Sequence, residues 1–210
     1  MNAGFSNLDT LKKTLLAGTM KADVRFDKII AALGLGMATM FENTCNRKFA
    51  RLVGVQETFP ADRCEFCLSR KPVESVATAE LKLNETDGWV MQDATYIRAI
   101  DLKNAIINTG DRDAGPYYAQ VRFTFTGGYF WETLEPDDAN FPSDLPDGAS
   151  ALPDDLFNAW ILQCRHIWNQ LDKTGANILK DGEEKSLRFP QDFAPTVENT
   201  LGQYKNFNLA

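Results

Sequence analysis

The residue types able to do chemistry are few in this chain and lie far apart. Cys64-Glu65-Phe66-Cys67 is its one C-x-x-C, the spacing that redox pairs and zinc sites use because it brings two sulfurs to one centre. Tetrahedral zinc needs two more ligands, yet there is no second C-x-x-C, and His166 is the single histidine. A redox pair belongs at a helix N-terminus, whereas Cys64, Phe66 and Leu68 alternate as residues of a half-buried strand do. The spacing favours strand packing, with a small thiol or metal-binding enzyme using Cys64 and Cys67 as the alternative.

The other constellations are weaker. Gly34-Leu35-Gly36 lacks a third glycine and any Gly-Lys-Ser or Gly-Lys-Thr ending, and it falls inside a helical stripe, so close helix packing explains it. His166 has no G-x-S-x-G nucleophile motif to serve. Asp137, Asp138, Asp144, Asp147, Asp154 and Asp155 are interrupted by prolines and lack the spacing of an EF-hand, which leaves a solvated acidic loop. Trp89, Tyr117 and Tyr118 are the surface aromatics a ligand-binding β domain would use, although core or interface packing is the more common reason for such residues. No catalytic residue, metal ligand or cofactor emerges, and the expectation is a structural protein, not an enzyme.

Composition points the same way. The chain has 210 residues, 44% of them hydrophobic and 24% charged, enough for one compact domain with an appended arm. A formal net charge of -7 argues against a general nucleic-acid binder, because phosphate neutralisation needs clustered Lys and Arg. An acidic surface instead suits something that DNA must slide past. The four cysteines show no dense secreted framework and are read as reduced thiols. No leader pattern and no stretch of about 20 apolar residues is seen, so cytoplasmic synthesis without a membrane is expected.

The elements that position these residues follow from periodicity. Leu8, Leu11 and Leu15 repeat at helical spacing between Ser6 and Gly18. A second, longer helix of about six turns begins near Asp23, with Phe26, Ile30, Leu33, Met37, Met40 or Phe41, and Cys45 on one stripe. Between Arg51 and Tyr129 the period becomes two, in Cys64/Phe66/Leu68, Ala79/Leu81/Leu83 and Val121/Phe123/Phe125, with turn signals at Lys71-Pro72, Asp87-Gly88 and Gly115-Pro116. This predicts a central antiparallel β-sheet or small sandwich. A long exposed loop rich in Pro and Asp follows, and Pro153 with Asp154 and Asp155 starts a third helix, where a missing N–H costs nothing and carboxylates meet the positive end of the dipole. Leu156, Trp160, Cys164, Ile167 and Leu171 line its buried face, widened by Phe157, Ile161 and Trp168. The fold class is thus α+β. One domain is expected over 1–180 (helices 6–48, β region 51–130, acidic loop 133–152, helix 153–174), with an extended C-terminal arm over 181–210.

Three pieces, in order, resemble one family, the head-to-tail connector or adaptor proteins of tailed phages. The first is the N-terminal helical pair leading into Cys45-Asn46-Arg47-Lys48-Phe49, where the family ends its helix in a Thr-Gly-Arg-like turn and Asn46 stands in for glycine. The second is Arg70-Lys71-Pro72-Val73-Glu74-Ser75-Val76, similar to a Pro-Val-x-Ser-Val strand start. The third is Val121 to Tyr129, similar to a Val-x-Tyr-Thr-Ala-Gly-Tyr ending, followed by Leu152-Pro153-Asp154-Asp155-Leu156, similar to a Val-Pro-x-Asp-Leu helix start. The likeness covers roughly residues 6 to 175, with a longer loop at 133–150.

The resemblance implies a virion neck protein, assembled in the host cytoplasm, that forms a ring of twelve copies below a portal protein. Packaged double-stranded DNA would pass through it, and a stopper or tail terminator protein would dock on its tail side. A tail-side completion or stopper ring is the alternative, against which the two leading helices argue. Phe189, Phe193, Tyr204 and Phe207 are the expected anchors of an arm that binds the portal or a neighbour, and Asp137, Asp138, Asp144 and Asp147 the expected acidic contacts to a partner or the lumen.

Overall fold

A computed structural model describes residues 8–16, 26–110, 118–130, 144–173 and 192–206. The chain has the expected α+β composition, in the order α1 (Leu8–Leu15), α2 (Asp27–Cys45), β1 (Leu52–Pro60), β2 (Glu65–Cys67), β3 (Val73–Lys82), β4 (Val90–Met91), β5 (Ala99–Asp101), β6 (Ile106–Asn108), β7 (Gln120–Gly127), β8 (Tyr129–Phe130), β9 (Ser150–Ala151), α3 (Asp154–Lys173) and α4 (Pro195–Tyr204). It divides into two compact units, one helical (1–45, 132–143, 152–206) and one built of strands (46–131, 144–151, 207–210).

In the helical unit the predicted stripes are the buried faces. Ile30, Leu33, Met37, Phe41 and Cys45 of α2 are buried, as are Leu156, Trp160, Cys164 and Ile167 of α3. The described part of α2 runs for about five turns; a start near Asp23 lies outside the described residues. Gly34 is buried, and the Trp160 indole Nε1–H donates to its carbonyl at 3.0 Å, the close approach that the glycines predict. Leu11 of α1 is fully buried, and Lys12 pairs with Asp27 at 2.5 Å, closing α1 onto the start of α2. Phe26 meets Trp168 edge-on with ring centroids 6.0 Å apart. Among the described residues no helix is long and apolar enough to cross a membrane.

The fourth helix is a correction. The segment 181–210 reads in sequence as an extended arm, but Pro195–Tyr204 is helical, with Val197 and Leu201 fully buried. Pro195 opens it, where the fixed φ suits a first turn and the missing N–H is not needed.

In the β unit, an antiparallel sheet of order β1-β7-β3-β4 shares a core with a second, β2-β6-β5. β7 is central: Val121, Phe123 and Phe125 alternate into the core as predicted, and Phe66 of β2 and Phe59 of β1 pack on Phe123 at centroid distances of 5.2 and 6.2 Å. Burying a phenylalanine of this kind is worth about 1.5–3 kcal/mol, so this triplet anchors the two sheets to each other. The turn lies just ahead of Asp87-Gly88, over residues 84–87, closed by Asp87 N–H to the Asn84 carbonyl at 3.1 Å. Gly115-Pro116 lies outside the described residues.

Candidate assembly surfaces

The three sequence pieces behind the resemblance supply the parts of one main-chain junction in the β unit. α2 ends at Cys45, and Asn46 takes a left-handed φ of 49°, the conformation that a glycine or asparagine adopts most readily after a helix. The next residues, Lys48 and Ala50, form isolated parallel bridges to Arg70 and Tyr129. Gly128 N–H donates to the Pro72 carbonyl at 2.8 Å and Tyr129 N–H to the Phe49 carbonyl at 2.7 Å. Gly128 has φ +98°, and a Cβ there would lie 2.4 Å from the Ala50 oxygen, so only glycine fits. Arg47 seals the junction, its guanidinium 4.9 Å over the Phe49 ring and 5.5 Å from that of Tyr129 while it donates to the Lys71 carbonyl. Arg51 grips Glu74 with two bonds, 2.8 and 3.1 Å.

From this junction β8 pairs with β9 in parallel, Tyr129 beside Ser150, which fixes the end of the acidic loop. Asp144 and Asp147 are exposed there, Asp147 on a turn closed by Ala149 N–H to the Pro146 carbonyl at 2.9 Å and Asp144 just before it. Asp137 and Asp138 lie outside the described residues.

The expected arm residues have a different setting. Phe193 is half-buried, packed edge-on against Phe41 at 5.8 Å, and the Tyr204 hydroxyl donates to Asp155 Oδ1 at 2.7 Å. Both therefore engage the helical unit of their own chain. Phe189 and Phe207 lie outside the described residues. Gln163, which no sequence pattern flagged, is the residue that seats this segment: fully buried, it donates through Nε2 to the Asp192 carbonyl at 3.0 Å and accepts from Ala194 N–H at 3.0 Å. These two bonds bracket Phe193 as a strand partner would. Asn206 N–H adds a bond to the Cys45 carbonyl at 2.7 Å.

All four cysteines are free thiols; Cys64 and Cys67 are half-buried beside and in β2, and burial pushes the Cys164 thiol up to about 12. His166 is half-buried, its Nε2 2.8 Å from Gln170 Nε2. Among the described residues no three His, Cys, Asp or Glu side chains group as metal ligands would. Trp89 lies under the Arg122 guanidinium at 4.3 Å, and Arg122 also pairs with Glu80. Tyr118 is exposed, and Tyr117 lies outside the described residues.

Among its exposed residues the β unit carries two apolar pairs. Leu52 and Val53 are 51% and 65% exposed at the start of β1, and Val90 and Met91 are 62% and 67% exposed on β4. β1 and β4 are the opposite edges of one four-stranded sheet. Beside β4, a groove of about 570 Å³ runs between Val76–Ala79 of β3 and the segment from Met91 to Ile100. β1 carries a bulge between Leu52 and Val55, with Gly54 at φ +67°, and β4 is two residues long, so neither edge is a flat template for strand addition.

No protein-family model matches the sequence. No curated protein matches it either. Solved structures do share the fold. A chain from the neck of an empty gene transfer agent particle, computed with C6 symmetry, is similar over 98% of this chain and 91% of its own, with a TM-score of 0.60 and 15% identity. A chain from the virion of a native gene transfer agent particle gives 0.61 and 16% over the same shares. One from the neck of a native particle, computed with C12 symmetry, gives 0.51 and 15% over 100% of this chain and 96% of that one.

Proposed function

We propose that this chain is a structural, non-enzymatic subunit of a virion neck, a head-to-tail adaptor that closes into a ring below a portal, extends the DNA channel and presents its far side to a stopper or terminator protein. The observation that carries the reading is the pair of unlike apolar patches, Leu52/Val53 and Val90/Met91, on opposite edges of one sheet. A ring joined head to tail is heterologous: each copy needs two different surfaces facing opposite ways, and closure leaves neither exposed. Exposed apolar residues at both edges are what such closure would cover. The shared fold with chains from particle necks supports the same reading, and a ring of twelve agrees with the C12 symmetry of one such neck.

The charge distribution supports passage of DNA without capture. The chain carries -7, and Asp144 and Asp147 are exposed on the loop that the junction holds. Phosphates moving past such a surface meet repulsion and no ion pairs, so no counterion is released and no binding energy is gained. The acidic loop around Asp137, Asp138, Asp144 and Asp147 is assigned to the channel, and the portal contact to Phe189 and Phe207, which flank the docked helix in sequence. Phe193 and Tyr204 hold that helix in place.

The test uses one charge on each patch. Val53→Asp and Met91→Asp should each leave the isolated chain folded, since both side chains already face solvent, and each should prevent ring formation as read by light scattering and negative-stain imaging. Rings formed as well by both variants as by the parent would refute the assigned interface.

A further inference from the structure

We infer that copies join by a tongue-and-slot contact: in the proposed ring, on which this inference rests, residues 52–54 of one copy enter a gap in the outer edge of β3 on the next. That edge is paired at both ends and open between them. Gln92 N–H donates to the Ala79 carbonyl at 2.8 Å, and beyond it β4 pairs with Glu80 and Leu81. At the other end Val73 N–H donates to the Leu102 carbonyl at 2.7 Å. From Asp93 the chain leaves β3, forms β5 in the second sheet and comes back only at Leu102. Among the described residues no main-chain bond reaches the outer edge of β3 over 74–78. From Val73 to Ala79 this gap is about 20 Å long at the rise of a strand. It opens into the groove of about 570 Å³, where Ala77, Ala79, Ala94 and Ala99 leave room and Met91 and Ile100 supply apolar contact.

Open main-chain groups beside an apolar lining select an extended segment: its backbone supplies the missing donors and acceptors, and its side chains fill the groove. Residues 52–54 have the matching properties. β1 is the outermost strand of its sheet, so its far edge also has no strand partner among the described residues. Consecutive residues of a strand point to opposite faces, yet Leu52 and Val53 are both exposed, so this stretch projects beyond the core on both sides. A Cβ added to Gly54 would meet nothing within 4 Å. The slot is also continuous with the surface assigned to ring closure, because Met91 belongs both to the exposed pair on β4 and to the groove wall. A tongue seated there covers both apolar pairs at once. The bulge in β1 and the closed ends of the slot confine the contact to one short stretch, as a head-to-tail joint with a single register requires.

The test places a photocrosslinker on each side of the joint. Full-length chain carrying Val53→p-benzoylphenylalanine is assembled with an excess of unaltered chain, so that rings verified by imaging hold few altered copies, and is then irradiated. The products should join residue 53 of one chain to peptides within 74–79 or 91–100 of another. Ala94→p-benzoylphenylalanine, in the groove wall, should give the reciprocal product with 52–54. Ala77→Trp, at an exposed position, fills the slot and should abolish rings while leaving a folded monomer by circular dichroism. Inter-chain products at other surfaces, or rings formed as well by Ala77→Trp as by the parent, would overturn the slot and leave the ring standing; a parent chain that forms no rings would overturn both.

Discussion

The Tyr129 main-chain N–H donates to the Phe49 carbonyl at 2.7 Å, and Arg51 N–H returns a bond to the Tyr129 carbonyl at 2.9 Å. This exchange ties the residues that follow α2 to the end of β7, and it requires the backbone at Gly128 to pass within van der Waals distance of Ala50. Gly128→Ala should therefore destabilise the chain by more than about 3 kcal/mol, combining a forbidden φ with a main-chain clash. Gly54→Ala is the control: its φ is also positive, but nothing lies within 4 Å, and a loss of about 1–2 kcal/mol is expected. Urea unfolding of both variants measures the difference.

Trp160→Phe removes the indole donor from the Gly34 carbonyl and opens a small cavity between α2 and α3. A loss of about 2–3 kcal/mol is expected from the missing bond and the unfilled volume together. A variant within about 0.5 kcal/mol of the parent would mean that the glycine is not held by this contact.

Gln163→Ala leaves the Ala194 N–H and the Asp192 carbonyl without their partner. Hydrogen exchange should rise at 192–206 while the protection of β7 is unchanged, because the clamp acts on α4 alone. The expected cost is about 2–3 kcal/mol, the range for unpaired buried polar groups.

Cys164 supplies a pH dependence. Its folded value near 12 stands above the ordinary thiol value of 9.0 because burial penalises the thiolate. Above pH 9 the unfolded chain releases this proton while the folded chain keeps it, so unfolding is favoured progressively; below pH 9 both states are protonated and the group contributes no slope. Cys164→Ala should lose some stability at pH 7 through the lost packing, and its stability should fall less steeply than the parent's between pH 9 and 12. Equal slopes would show that the thiol titrates as an exposed one does.

The parts of this fold legible in sequence were those with a sustained period. The stripes of α2 and α3 and the alternation of Val121, Phe123 and Phe125 rest on local spacing, whereas Asn46 at the turn followed from the family resemblance. α4 was missed because its burial rests on two residues, Val197 and Leu201, too few to raise a period above scattered aromatics; Pro195 ahead of them was the available signal. Gln163 was invisible for a different reason. Its role is set by main-chain groups 29 and 31 residues away, and no pattern on α3 distinguishes a buried amide from an exposed one. The same finding alters the arm: removing 182–210 would also strip Val197 and Leu201 from the helical core, so Phe189→Ala with Phe207→Ala is the cleaner probe of portal contact.

The central claim meets its most direct test when purified chain is mixed with portal-bearing particles that lack a neck and the mixture is imaged. Adaptor function predicts a disc of added density below the portal, of cyclic symmetry and coaxial with the DNA channel. Particles with no added density, or with density elsewhere on the shell, would contradict it.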